Sequence, residues 1–177
     1  MLPHRDYCKK MPDKAGKIFV ASKDSVCFIK LVGDIRVTLC SSIDNYIEKV
    51  FATNFPYKDI VIDLMEAEAI DSTSLGLLAK MSLYAQQRFS IKPTIFSTNP
   101  SVTKLLNSVG FSQIFNIVTT FDSGLDTAKC KELKTSEANN EKKVREKVIE
   151  AHKILMNLNN ENKEAFKELV STLEKDA

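Results

Sequence analysis

Residues 59–88 limit what this chain can fold into more than any other stretch. Asp59-Ile60-Val61-Ile62-Asp63-Leu64 reads as a strand, and the adjacent Val61 and Ile62 are the pattern of a strand covered on both faces. Residues 65–69 read as a short acidic loop, and Ile70-Asp71-Ser72-Thr73-Ser74-Leu75-Gly76 then opens a helix over residues 72–88. Leu75, Leu77, Leu78, Ala79, Met81, Leu83, Tyr84 and Ala85 make that helix apolar nearly all round, so it has to be buried. Three consecutive hydroxyl residues therefore sit where a strand's exit becomes a helix. There the first backbone N–H groups lack helical partners and the macrodipole is positive. A hydroxyl at that place can cap the helix, and a phosphate added to it would be held well. Asp, Ser and Thr are also the preferred capping residues, and on the local pattern alone the cluster reads first as a cap and nothing more.

The flanking sequence supplies the neighbouring strands and helices. Residues 17–21 and 26–32 are strand-like, with Ser22-Lys23-Asp24-Ser25 as the turn of a hairpin. Gly33-Asp34 ends or bulges the second strand. Leu39, Ile43, Ile47, Val50 and Phe51 recur at helical spacing and predict a helix over residues 40–52, with Ser41 and Asp44 as a weak capping pair. A short strand over 94–98 precedes Asn99-Pro100, a strong helix start, and Gly110 closes that helix. Residues 114–118 are a last strand, after which Asp122 or Ser123 caps a short helix reaching about Leu133. The alternation predicts an α/β fold: a central, mostly parallel mixed sheet of four to five strands with helices packed against it.

Composition removes several function classes. The chain of 177 residues carries 25 basic and 23 acidic residues, a net charge of +2, which makes no case for nucleic acid or a membrane surface. No apolar run approaches the ~20 residues that span a bilayer, and residues 1–16 lack the apolar middle of a secretion signal. A cytoplasmic protein is expected. Cys8, Cys27, Cys40 and Cys130 have no metal-ligand spacing, and Cys27 and Cys40 lie in apolar surroundings. His4 and His152 stand far apart with no matching ligand set, so neither a metal site nor a cofactor is expected. No P-loop or G-x-G-x-x-G occurs. No base lies near the hydroxyls in sequence, so catalysis is the least expected role and the chain reads as a non-enzyme.

The Asp71-Ser72-Thr73-Ser74-Leu75-Gly76 segment, its upstream strand and the Leu31-Val32-Gly33-Asp34 turn together resemble the STAS family of anti-sigma factor antagonists, over residues 17–133. The family signature is Asp-Ser-Ser/Thr-Gly-Leu-Gly, and its third residue is the hydroxyl a partner kinase phosphorylates. That position is Thr73. Ser74 stands where glycine is usual, leaving Ser72 and Ser74 as rival acceptors. The resemblance implies the same α/β architecture and a partner-binding surface of Asp34, Asp71, Ser72, Thr73, Ser74 and Gly76. It also implies an anti-sigma serine/threonine kinase, a metal-dependent phosphatase and a downstream anti-sigma factor or regulator as partners. Phosphorylation would break or redirect binding, with Asp71, Glu66 and Glu68 adding to the repulsion. The alternative is a non-phosphorylated accessory subunit of a membrane ABC-type transport assembly.

Residues 1–16 read as a loose leader, and residues 134–177 as a separate helical extension. Val148, Ala151, Leu155, Leu158, Ala165 and Leu169 keep helical spacing, interrupted by Asn162. One continuous helix would run ~50 Å. The cluster Asn157, Asn159, Asn160 and Asn162 can instead break it into two antiparallel pieces. Such a seam can dock on its own domain, bind a partner or self-associate.

Overall fold

The computed structural model describes residues 15–120, 129–135 and 140–175. Strands β1 (Lys17–Lys23) and β2 (Val26–Ile35) form the expected antiparallel hairpin. Its turn places Asp24 and Ser25 at φ 51° and 67°, the left-handed pair that matches the twist of a two-residue hairpin loop. β2 lies parallel to β3 (Asp59–Ile70), β3 to β4 (Thr94–Phe96) and β4 to β5 (Asn116–Val118). β6 (Lys131–Glu132) pairs antiparallel with β1, giving the order β5-β4-β3-β2-β1-β6. The sheet therefore has six strands, one more than the sequence indicated. The extra strand stands where a short helix reaching Leu133 was expected; its proposed caps, Asp122 and Ser123, lie outside the described residues.

The central strand is also longer than its hydropathy indicated. The acidic stretch read as a loop, Met65 to Ala69, continues β3 up to Ile70. Two register shifts in the β2–β3 ladder accommodate it, and Gly33, at φ 76°, resolves as a bulge rather than a strand end. Glu66 accepts a hydrogen bond from the Lys30 ammonium at 2.6 Å, so its charge is compensated rather than free to repel a partner. Residues 1–14 of the expected leader lie outside the described residues, while Ala15 already bridges to Asp34.

Helix α1 (Cys40–Ala52) follows a 3-10 turn at Val37–Leu39. Leu39 occupies the cap position without a side-chain bond, so the Ser41/Asp44 capping pair does not form; Asp44 is buried instead. α2 (Ser72–Phe89) packs between the sheet, α1 and the extension, and α3 (Pro100–Ser108) opens with the Asn99 side chain accepting from Ser101 N–H at 2.9 Å. Gly110, at φ 85°, closes α3 and folds buried Phe111 behind it. Ile18, Ile29, Leu31, Ile60, Ile62 and Leu64 from the sheet meet Ile47, Leu77, Leu78 and Met81 in one core. Cys27 and Cys40 are buried as expected, and burial pushes the Cys27 thiol up to about 11.

The extension is two helices, α4 (Glu141–Met156) and α5 (Asn160–Lys175). Asn140 caps α4 by accepting from Lys142 N–H at 3.0 Å. Asn159 accepts from Asn162 N–H at 2.7 Å and starts α5 afresh. α5 turns back along α4, so that Leu173 shares a cleft with Glu141, Val144 and Val148. The buried Asn162 amide donates to Val109 O at 3.0 Å and Leu155 O at 2.9 Å. Its hydrogen bonds are thus made within the chain rather than across a coiled-coil seam. No described helix is long and apolar enough to cross a membrane.

Candidate functional site

The site begins where β2 and β3 end. Ile35 pairs with Ile70, and the next residue, Asp71, donates its N–H to Ile35 O at 3.0 Å. Asp71 is extended (φ −82°, ψ 165°), the conformation of a helix cap. Its Oδ1 accepts from Ser74 N–H at 2.8 Å and its Oδ2 from Val37 N–H at 2.6 Å. The carboxylate thus caps α2 and ties it to the turn before α1. Binding crevices in parallel sheets lie at the carboxyl ends of the strands, and the first turn of α2 stands there.

The three hydroxyls of that turn differ. Ser74 is fully buried, and its Oγ has no hydrogen-bond partner among the described residues. Thr73 is 5% exposed. Ser72 is half-buried, and its Oγ lies 2.8 Å from Nε2 of His152 on α4. The other ring nitrogen, Nδ1, is 2.7 Å from Val148 O, which can only accept, so Nδ1 carries a proton. Nε2 then accepts the hydrogen bond that the Ser72 hydroxyl donates. A base therefore does stand against a hydroxyl, contrary to the sequence reading. His152 is only 2% exposed, with the Phe166 ring edge-on at 4.9 Å, which makes the pair a clasp between helices.

Gly76 explains how α4 comes so near. A β-carbon there would stand 2.4 Å from the Ala151 carbonyl oxygen and 2.6 Å from its carbonyl carbon, so only glycine admits this backbone approach. Thr73, Gly76 and Lys80 recur at helical spacing on one side of α2. Lys80, 4% exposed, donates to Asp44 Oδ1 of α1 at 2.8 Å and lies 3.0 Å from Glu150 of α4. Asp44, 2% exposed, also holds Lys147 of α4. Burial pushes the Asp44 carboxyl up, but hydrogen bonds from Lys147 and Lys80 outweigh it and hold the group below its ordinary value of 3.8. Burial likewise pulls the Lys80 ammonium down, and Asp44 and Glu150 more than reverse it.

The structure gathers Asp71, Ser72, Thr73, Ser74 and Gly76 into one helical turn. Asp34 borders it one residue before Ile35, its carboxylate turned to Arg36 at 3.7 Å. The sequence reading missed Asp44, Lys80, Lys147, Glu150, Ala151 and His152. Lys80 within an otherwise apolar helix was the available signal, since a buried ammonium demands partners. Among the described residues no cluster of three His, Cys, Asp or Glu could hold a metal ion.

A mostly parallel sheet with its hydroxyl turn at the strand ends defines the class, and the family model for the STAS domain matches residues 17–124: the chain belongs to the STAS domain family. Among solved structures, it is similar to an anti-sigma factor antagonist from Mycobacterium paratuberculosis, at 21% identity and a TM-score of 0.53, over 62% of this chain and 91% of that one. A second similarity, at 14% identity and a TM-score of 0.48, is to the Bacillus cell fate determinant SpoIIAA in its phosphorylated form, over 58% of this chain and 91% of that one. No curated protein matches.

Proposed function

We propose that this chain is an anti-sigma factor antagonist of the cytoplasm, switched by phosphate on Thr73, with Ser72 and Ser74 as the rival acceptors. The observation that carries the reading is the hydroxyl turn itself. Asp71, bonded at both oxygens, fixes the first turn of α2 beside the free ends of β2 and β3, in a family with antagonists of this fold. The unmodified turn, with Asp34, Asp71 and Gly76 around it, binds an anti-sigma serine/threonine kinase. Phosphate adds about −1.5 to −2 charges and three acceptor oxygens there, favoured by the helix N-terminus and opposed by a closely packed partner. A metal-dependent phosphatase restores the hydroxyl, and the free form controls a downstream anti-sigma factor or regulator. The role is binding, not catalysis.

Site-resolved phosphopeptide mass spectrometry on protein isolated from its own cells tests this, with Thr73→Ala as control. Phosphate on Thr73, lost in the control, is expected. Phosphate on Ser72 or Ser74 keeps the switch and moves the acceptor. No phosphate on any of the three under all growth conditions, in the natural chain and in variants whose extension has been loosened, would refute the switch.

A further inference from the structure

We propose that the face of α1 and α2 beneath α4 is a docking surface for a helix of a partner protein, and that the α4–α5 hairpin is a resident occupant that must leave first. The inference rests on the reading of residues 71–76 as a partner-binding turn. Ser72 is bonded to His152 and Thr73 beside it is buried, so neither a kinase active site nor a flat protein surface reaches this turn while α4 is seated.

The seated helix shows what the face accepts. Lys147 meets Asp44, Glu150 three residues later meets Lys80, Ala151 lies over Gly76, and His152 bonds Ser72. Lys147, Glu150 and Ala151 share one side of a helix (i, i+3, i+4), presenting a cation, an anion and a small residue, while His152 reaches Ser72 from the flank. The receiving face is complete without α4. Asp44 and Lys80 still pair with each other at 2.8 Å, and Gly76 leaves a backbone-deep groove. The family model ends at residue 124, before the hairpin begins.

The hairpin is anchored along α2 and in the core through Leu155, with Ile154, Leu158 and Phe166 packed against the same core. α4 buries only Ala151, His152 and Leu155, and α5 only Asn162 and Val170, among their described residues. Beside those apolar contacts, the Ser72–His152 hydrogen bond and two ion pairs reaching Glu150 and Lys147 hold α4 against α1 and α2. Contacts of that kind exchange for equivalent ones on another helix. A docked helix of the same pattern in a partner would take over the contacts that α4 gives up.

Competition in the full-length protein tests the proposal. The probe is a fluorescein-labelled synthetic peptide of residues 140–175, read by fluorescence anisotropy. Ala151→Arg in the full chain prevents its own α4 from seating over Gly76 and leaves the receiving face unaltered. Apparent affinity scales with the fraction of molecules whose face is open, so this variant is expected to bind the peptide at least about tenfold more tightly than the natural chain. Adding Gly76→Val to Ala151→Arg should remove the gain. Should Ala151→Arg lose slow amide exchange in β2 and β3, the milder His152→Ala takes its place. Equal peptide binding by variant and natural chain overturns the proposal. So do α4 amides that exchange only as slowly as those of β3, which would make the hairpin integral to the core. A natural-chain dimer by light scattering that Ala151→Arg abolishes would assign the face to a second copy and overturn the partner assignment. No readout uses phosphate, so failure here leaves the Thr73 reading standing, and absence of phosphate leaves this result standing.

Discussion

Replacing Gly76 with alanine separates the hairpin's stability from that of the domain beneath it. The added β-carbon would stand 2.4 Å from the Ala151 carbonyl oxygen and 2.6 Å from its Cα, all backbone atoms that cannot rotate away. Ordinary contact begins at 3.4 Å, so α4 has to retreat by about 1 Å. That retreat stretches the Ser72–His152 bond, now 2.8 Å, and the Lys80–Glu150 contact, now 3.0 Å. Overpacking of this kind costs about 1–3 kcal/mol, all of it charged to hairpin docking. Within α2 the same methyl group is favourable by about 0.5–1 kcal/mol, because alanine loses less conformational freedom in a helix than glycine. The two effects have opposite signs and appear in different parts of the molecule. Amide exchange followed by mass spectrometry should show α4 and α5 opening about 5- to 150-fold more often, since each 1.4 kcal/mol is a factor of ten. Slow exchange in β2, β3 and the buried half of α2 should hold or deepen. Unchanged protection in α4 would refute the close-approach reasoning. A parallel loss of protection in hairpin and sheet would refute the idea that the hairpin opens alone.

The buried charges give two further tests. Lys80→Met leaves the Asp44 carboxylate buried with Lys147 as its remaining cation and should cost about 3–5 kcal/mol in urea unfolding, while Asp44→Leu with Lys80→Met should recover most of that loss. Asp44 is held below 3.8 when folded, so its stabilisation is fully present above that value and disappears as pH falls through the lower folded value. Acidification below about pH 4 should therefore loosen the hairpin's exchange protection, and an Asp44→Asn chain should show a flatter dependence in the same acid window.

Where a local rule governed an element, the sequence predicted it closely. The hairpin, the Asn99-Pro100 start of α3 and the Asp71 cap all follow from nearest-neighbour chemistry, and all three stand as expected. The extension of β3 did not, because Glu66 and Glu68 give that segment the polarity of a loop. What keeps Glu66 in a strand is Lys30 on the neighbouring strand, a partner 36 residues away. Asp44 was misread for the same reason: a carboxylate near a helix start suggests a cap, and only Lys80 and Lys147 reveal it as buried. The candidate turn was legible, but its cover was not. His152 reaches Ser72 across 80 residues, and no spacing rule connects them.

The two margins of the sheet have a consequence for behaviour at high concentration. β5 is only three residues long, and β6 only two, Lys131 and Glu132, both charged and exposed. An exposed strand edge recruits other chains through its row of unpaired N–H and C=O groups, and short, charged strands blunt that tendency. At β5 and β6 the sheet thus offers little to lengthen it into an aggregate or to accept a peptide strand from another protein. Crowding at high expression should therefore leave β5 and β6 of different molecules unpaired with one another.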